Sequence, residues 1–520
     1  MIARPDGSDG TDGPRGERSG GNPLMHDHRK SDSPVVPVGP PNKTGGPVAE
    51  AGEERGLPEG NTASKTRPGR SAGQDAPSAL DRVREVAQKD KEARFTALLH
   101  HVTVDRLRDA YRALRPRAAA GVDGVTWDSY GQDLEGNLLD LHGRVLRGSY
   151  RARPSRRAYI PKADGRLRPL GIAALEDKIV QRAVVEVLNA IYETDFLGFS
   201  YGFRPGRSPH HALDALATGI RRKKVNWVLD ADISDYFTSL EQSWLLKFLE
   251  HRIADKRVLR LIQKWLSAGV IEDGSWTASD QGTPQGAAAS PLLGNVYLHY
   301  VLDLWADQWR RRHAHGEMII VRYGDDFVAG FEHRDDAERF LADLRDRFAT
   351  FCLELHPEKT RLIEFGRFAD RDRKARGLRR PETFDFLGFT HCCAKNRNGG
   401  FMLRRSTIKK RMAAKLRSVK AELMRRRHLP IPEQGAWLAS VIRGHTAYYA
   451  VPGNIDAVVA FRTQTTRHWF KALRRRSQRH RLNWMRMNDL SVRWLPRARI
   501  MHPWPEARFD ARTQGRSPVR

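Results

Sequence analysis

The sequence predicts an α+β fold followed by an all-α region, and three observations carry that reading. The first is an apolar stretch folded about an acidic centre. Met318-Ile319-Ile320-Val321-Arg322 precedes Tyr323-Gly324-Asp325-Asp326, and Phe327-Val328-Ala329-Gly330-Phe331 comes after it. Two β-prone runs around a tight, Gly-containing centre read as a hairpin. The second is an upstream run, Val225-Asn226-Trp227-Val228-Leu229-Asp230-Ala231-Asp232-Ile233, which reads as a buried strand ending in acid. The third is the stretch from about residue 404 to Pro496, which is strongly basic and helical in pattern.

The chain has 520 residues, enough for two to four domains and a large core. Lys and Arg number 90 against 62 Asp and Glu, giving a net charge of +28 and a pI near 10.4. Such an excess favours a polyanionic partner, nucleic acid first. A merely Arg-rich composition would spread that charge, whereas here it clusters. Arg404 to Arg427 holds eleven basic residues and one acid, Glu422, and Arg467 to Arg486 holds eight and none. Three cysteines without a CxxC pair argue against a disulfide framework or a Cys-rich zinc site. Cys392 and Cys393 read as buried strand residues. No apolar run approaches membrane-spanning length and the N-terminus lacks a signal-peptide core, so a soluble, cytoplasmic chain with no membrane partner is expected.

Residues 1–79 contain 14 Gly, 11 Pro and no aromatic residue, so they cannot bury a core and are expected to be a disordered tail. Order should begin near Ala79, where Leu80, Val83, Val86 and Ala87 mark one helix face. A second helix, about 103–114, leads into the turn-rich loop 120–126. Arg157 to Ile172 reads as a hairpin turning at Asp164-Gly165, with basic residues on both arms. A long helix comes next, its stripe of Ile179, Val180, Ala183, Val184, Val187, Leu188 and Ile191 belonging to the core. After the Asp232 strand come helices at about 241–252 and 256–268, and then a Gly-Pro-Gln-Gly segment that opens a further helix. Beyond the acidic hairpin, residues 334–352 form a helix with Phe340, Leu341, Leu344 and Phe348 inward. Phe384 to Phe389 is a short strand, and residues 496–520 form a Pro- and Arg-rich tail with Trp504 and Phe509 as possible anchors.

Asp325 and Asp326 repel one another as neighbours and make a poor structural turn. A divalent cation that neutralises both changes that balance, and oxygen ligands suit Mg²⁺. A third carboxylate at the end of the upstream strand can face them across a small sheet, so that three acids hold two Mg²⁺ ions. Phosphoryl transfer needs little from a protein beyond such positioning and charge neutralisation. Asp230 and Asp232 lie two apart on a strand and so share a face, and periodicity does not separate them as the third acid.

Seven segments agree in order and spacing with one family. They are GVDGVT at 121–126, RAYIPKADGRLRPLGI at 157–172, SYGFRPGRS at 200–208, DADISDYF at 230–237, GTPQGAAASPLLGN at 282–295, RYGDDFV at 322–328 and FDFLGF at 384–389. From about Leu80 onward the chain resembles a group II intron reverse transcriptase with its maturase region. The resemblance implies a right-hand polymerase, with α+β fingers and palm over 80–390 and a helical thumb and maturase region that binds RNA over 391–495. It implies an RNA-directed DNA polymerase that copies an intron RNA template from a DNA primer with dNTPs, and that promotes intron splicing and mobility.

The resemblance also places the catalytic acids at Asp232, Asp325 and Asp326, with the Ile233 carbonyl joining the two Mg²⁺ ions. Lys162 and Arg168 match residues that grip the incoming triphosphate, as a point charge and a bidentate donor respectively. Gln285 matches a contact to the nucleotide sugar, and Tyr323 flanks the acids among the substrate-binding residues. Phe237 sits where a large ring would lie under the sugar and collide with a ribose 2′-hydroxyl. The strand 384–389 matches one that grips the primer end. Arg clusters with interleaved aromatics (Tyr448, Tyr449, Trp469, Phe470, Trp484, Trp494) suit phosphate contacts with base stacking, or helical-bundle core.

Two features depart from the pattern. Gly324 stands where the commoner turn has Ala, and no Cys-rich endonuclease module comes after the maturase region, so cleavage of a second DNA strand by this chain is not expected. Two other readings share these residues: a domesticated reverse transcriptase serving phage defence or DNA repair, and a non-catalytic RNA-binding splicing factor. Oligomeric state cannot be read from the sequence.

Overall fold

The computed structural model describes residues 79–161, 167–278, 281–283, 286–396, 398–477 and 482–513. Lys162, Gln285 and, but for Ala79, the expected disordered tail lie outside the described residues. Among the described residues, eleven strands run in chain order: β1 (Ser155–Pro161), β2 (Leu167–Ile172), β3 (Trp227–Ala231), β4 (Val270–Glu272), β5 (Ser275–Thr277), β6 (Met318–Tyr323), β7 (Asp326–Phe331), β8 (Arg361–Glu364), β9 (Phe384–Phe386), β10 (Phe389–Lys395) and β11 (Phe401–Thr407). The helices of more than one or two turns begin with α1 (Ala79–Lys89), α2 (Val104–Arg112), α3 (Leu134–Arg147), α4 (Leu175–Asp195) and α5 (Pro209–Arg222). Then come α6 (Gln242–Glu250), α7 (Lys256–Leu266), α8 (Ser290–Leu298), α9 (Leu304–Arg312) and α10 (Arg334–Thr350). The last five are α11 (Lys409–Arg425), α12 (Ile431–Tyr449), α13 (Ile455–Arg474), α14 (Trp484–Trp494) and α15 (Pro505–Thr513). The structure is therefore a mixed α/β chain that ends in helices.

The central sheet has the order β6-β7-β3-β8, and every pairing in it is antiparallel. Its strands are apolar on both faces because both are covered. Leu229, Ala231, Phe327, Ala329 and Phe331 enter a large core shared with the inward stripe of α4. Val228, Val321, Val328 and Ile319 enter a second core with Phe365, Phe384, Phe386, Phe389, Tyr448 and Tyr449. Alternation along β3 and β7 puts Asp230, Asp232 and Asp326 on this second face. The outer sheet, β2-β1-β4-β5, contains the hairpin read at 157–172 and adds a parallel pairing of β1 with β4. A third sheet, β11-β10-β9, leads into the C-terminal helices.

The helix expected at the start of the ordered region is α1, but Val86 is 49% exposed and Ala87 alone of the helix is fully buried. Cys392 and Cys393 lie on β10, as expected of strand residues, but both are only half-buried, Cys393 packing at the edge of the second core. The C-terminal helices have a core of their own, built on Leu423, Leu438, Ile442, Phe461 and Trp469. There the Trp469 ring N–H donates to Gln434 Oε1 at 2.9 Å, while the Gln434 amide donates to the Arg426 and Leu429 carbonyls. A single buried amide thereby ties α13 to the end of α11.

Residues 496–520 were expected to be a tail, yet residues 505–513 form α15, which packs along α5. Phe509 is buried in the second core, and Trp504 is 60% exposed, so only the first anchors the segment. A buried carboxylate explains the docking. Asp214 on α5 is 1% exposed and accepts from Arg405 Nη1 at 3.0 Å on β11 and from Arg508 Nε on α15. At the rim, Arg222 and Asp510 form a bidentate pair at 2.6–2.8 Å. No helix among the described residues is long and apolar enough to cross a membrane.

Candidate active site

The hairpin β6–β7 turns through two residues, Gly324 and Asp325, because Tyr323 pairs with Asp326. Gly324 has φ +67°, the left-handed conformation that this kind of tight turn needs at its first central position. The turn leaves Asp325 half-buried at the tip and Asp326 buried at the head of β7. Ala231 pairs with Phe327, so Asp232 comes next at the level of Asp326. The three acids of the sequence reading therefore gather at one end of the central sheet. Asp232 is 6% exposed and Asp326 is 4% exposed.

The backbone adds a fourth oxygen. His356 N donates to the Asp232 carbonyl and Ser234 N to the Glu354 carbonyl, each at 2.8 Å. Those bonds face the β8 edge, and antiparallel alternation turns the intervening Ile233 carbonyl toward the β7 edge, where the acidic turn lies. Three carboxylates and a carbonyl are hard oxygen donors of the kind Mg²⁺ prefers, so the residues fit that ion. Lys359 supplies a neighbouring cation, its ammonium 2.8 Å from Asp232 Oδ2.

Asp230, the rival acid, is 1% exposed and sits deeper along β3, opposite Val328. Arg361 on β8 approaches it to 3.9 Å. It shares the face with Asp232 but stands a full pleat away from the turn. Among the described residues, one group of three ligand-type side chains has its donor atoms within 4.8 Å of one another: His315, Asp335 and Asp336. It lies at the opposite end of the β6–β7 hairpin. There Asp336 already accepts from the His315 and Gly316 backbone N–H groups, each at 3.0 Å, which is a loop-capping role.

Phe237 lies in a one-turn helix after Asp232 and is 7% exposed. Its carbonyl accepts from Thr283 N at 2.7 Å, which holds the 282–283 loop over it. Phe203 sits between this residue and the turn, with ring centroids 6.5 Å from Phe237 and 6.2 Å from Tyr323. Phe203 itself has φ +58°, costly for a bulky residue, so the surrounding packing must impose it. Arg168 is half-buried on β2, opposite Ile160 in the outer sheet. The segment after Gln285 reaches that strand, since a Cβ on Gly286 would stand 2.8 Å from the Gly171 carbonyl. Thr283 thus lies against Phe237 and Gly286 against β2. The strand at 384–389 is β9 with the start of β10, its Phe384, Phe386 and Phe389 buried.

The electrostatic groups beneath the turn were not visible as such in the sequence. Arg322 is fully buried and pairs with fully buried Asp303 at 2.6 Å. Burial pushes His299 down to about 4 and keeps it neutral beside this pair. Lys359 likewise gave no signal, standing in a polar run, His356 to Thr360, with no pattern of its own. Of the aromatics read as base-stacking or core, Tyr448, Tyr449, Trp469 and Phe470 are core. Trp484 is 47% exposed and stacks on Phe470 with centroids 4.3 Å apart.

Residues 160–391 match the family model described as reverse transcriptase (RNA-dependent DNA polymerase). The chain is 40% identical over 220 residues to protein YkfC of Escherichia coli (strain K12), covering 41% of this chain and 58% of that protein. It is 33% identical over 231 residues to the group II intron-encoded protein LtrA of Lactococcus lactis subsp. cremoris, covering 43% of this chain and 38% of LtrA. It is 37% identical over 194 residues to an uncharacterised 91 kDa protein in the cob intron of Schizosaccharomyces pombe, covering 36% of this chain and 23% of that protein. The chain thus spans less than two thirds of each relative's length. The matched segment contains both strands that carry the acids, the loop over Phe237 and the buried Arg322. Residues 160–391 therefore carry a reverse transcriptase domain, similar over that stretch to the group II intron-encoded protein LtrA.

Proposed function

We propose that this protein is an RNA-directed DNA polymerase that extends a DNA primer on an intron RNA template with dNTPs, and that it also binds that RNA to promote splicing. The observation that carries the reading is the gathering of Asp232, Asp325 and Asp326 at one end of the central sheet, from strands far apart in the chain. Two Mg²⁺ ions held there would activate the primer 3′-hydroxyl and neutralise the triphosphate and its leaving group. Asp232 and Asp326, neighbours on adjacent strands, would hold the ions together with Asp325 at the turn. Arg168, with Lys162 beyond the described residues, would bind the triphosphate from the outer sheet, and Gln285 would contact the sugar. In this reading the central sheet is the palm, the outer sheet the fingers, and the helices from α11 onward the thumb and maturase region. Primer extension tests it directly. The full-length protein with Mg²⁺, a DNA primer annealed to RNA and dNTPs should lengthen the primer; RNA binding without extension would favour a splicing factor alone.

Phe237 is the proposed selector of deoxyribonucleotides, a buried ring packed on Phe203 next to the acidic turn, whose face would stand against a 2′-hydroxyl. Phe237→Val should raise ribonucleotide incorporation relative to deoxyribonucleotide by on the order of a hundredfold, read as a ratio of kcat/KM values. An unchanged ratio removes the assignment.

RNA binding is proposed for the basic face of α11 and the segment after α13. Lys409, Lys410 and Arg417 point outward from α11 while Val419 and Leu423 are buried. If roughly six to ten phosphates are contacted, affinity should fall by about a thousandfold or more between roughly 50 and 200 mM salt. A flat salt response would contradict a phosphate-reading surface.

A further inference from the structure

Arg322 immediately precedes Tyr323 and makes a set of bonds that nothing in the proposed chemistry requires of it. Its Nε and Nη2 donate to Asp303 Oδ1 and Oδ2 at 2.7 and 2.6 Å. Its Nη1 donates to Asn295 Oδ1 and to the Gly324 carbonyl, each at 2.9 Å. Nη2 also reaches Ser200 Oγ at 2.7 Å. One fully buried guanidinium therefore joins β6, α8, the segment at 199–202 and the turn between the acids. The backbone reinforces the same junction. Arg322 N donates to the Phe199 carbonyl and its carbonyl accepts from Tyr201 N, at 2.9 and 2.8 Å. Asn295 Nδ2 donates to the Gly202 carbonyl at 2.8 Å, and Gly202 lies so close to the Gly324 backbone that no Cβ fits between them.

The helix that supplies the counter-charge is itself irregular. His299–Asp303, between α8 and α9, is the one π-helical stretch among the described residues, and its last residue is Asp303. A π turn carries an extra residue and so rotates the next turn of helix, and such turns recur at functional sites. Here it coincides with the carboxylate that Arg322 needs.

A buried ion pair is poor evidence for stability, because apolar side chains of similar volume often serve as well. What an apolar pair cannot replace is the donor to the Gly324 carbonyl. We propose that Arg322, held by Asp303, is a positioning residue: it fixes the pitch of the Gly324–Asp325 turn so that Asp325 and Asp326 face Asp232 together. The proposal rests on the polymerase reading and deepens it. Misplacing a reacting group by about 1 Å can cost about a hundredfold in rate. Asp303 needs a bidentate fork and Gly324 a further donor, and a lysine ammonium does not span both.

The test uses the full-length protein, wild type against Arg322→Lys and the milder Asn295→Ala. Primer extension gives kcat, KM for dNTP and the Mg²⁺ concentration for half-maximal rate; RNA affinity and thermal unfolding are measured alongside. Arg322→Lys should lower kcat by about a hundredfold and raise half-saturating Mg²⁺ by about tenfold, with KM for dNTP and RNA affinity within about twofold. Asn295→Ala should shift the same two quantities less far with an unaltered melting profile. Activity that falls only with the folded fraction, at unchanged Mg²⁺ dependence, would overturn the proposal and leave Arg322 a structural residue. Should Arg322→Lys fail to fold, the Asn295→Ala Mg²⁺ dependence decides alone. Should wild type extend no primer, the polymerase reading fails separately. Mn²⁺ binding read by electron paramagnetic resonance then decides: weaker in both variants upholds the positioning role, and equal binding removes it.

Discussion

Replacing Asp325 by Ala should abolish primer extension while leaving RNA affinity nearly unchanged. Asp325 stands at the tip of a two-residue turn and is half-buried, with no strand position to fill. Its loss therefore costs little packing. Its carboxylate is one of three that would neutralise two dications, and metal-ion stabilisation of the developing charge is worth several kcal/mol. Losing a ligand should lower kcat by at least about a thousandfold, or roughly 4 kcal/mol. The basic surface of α11 lies on separate elements, so filter binding of RNA should move by less than about twofold. Retained extension at even a tenth of the wild-type rate would remove Asp325 from the metal site. Asp230→Ala offers a contrast, because a deeper buried acid beside Arg361 should affect stability before it affects chemistry.

The largest effect on stability is expected from Asp214→Ala. Asp214 is the shared counter-charge of Arg405 and Arg508, and Arg405 is itself 1% exposed. Burial pushes the Arg405 guanidinium down from its usual range, with Asp214 opposing that shift. Removing one partner of a buried ion pair leaves an uncompensated charge and costs about 3–5 kcal/mol. The damage should localise, because Asp214 is where α5, β11 and α15 meet. Thermal unfolding should begin at lower temperature, and limited proteolysis should release the segment after residue 496 first. Arg508→Ala should be milder, since the Arg405 pair survives it. Equal destabilisation by both variants would show that the Arg508 pair carries the whole effect and that the Arg405 pair adds nothing.

How far the sequence led depends on the kind of interaction concerned. The acidic hairpin was readable because apolar alternation and a Gly at the turn are local signals, and its strands stand where the sequence put them. The pairing of Asp232 with that turn came through the family resemblance, since spacing alone left Asp230 equally placed. Only the register of β3 against β7 separates them, and register is a long-range property. Arg322, Asp303 and Lys359 were missed for the same reason. Each is a charged residue whose partner lies 19 to 127 residues away, and no local pattern marks it. Helix α15 was read as a tail because Pro and Arg are abundant there. Its helix is held by tertiary pairs to α5, which override weak local preference.

Polymerase chemistry at this site requires that the acids of β3 and of the β6–β7 turn hold metal together. Replacing Mg²⁺ by Fe²⁺ with ascorbate and peroxide generates hydroxyl radicals at the bound ion, and the cut sites in the chain locate it. Cleavage is predicted near residue 232 and near residues 324–326, both lost in Asp325→Ala. Cleavage confined to residues near His315 and Asp335, or cleavage at one of the two strands alone, would contradict a shared metal site.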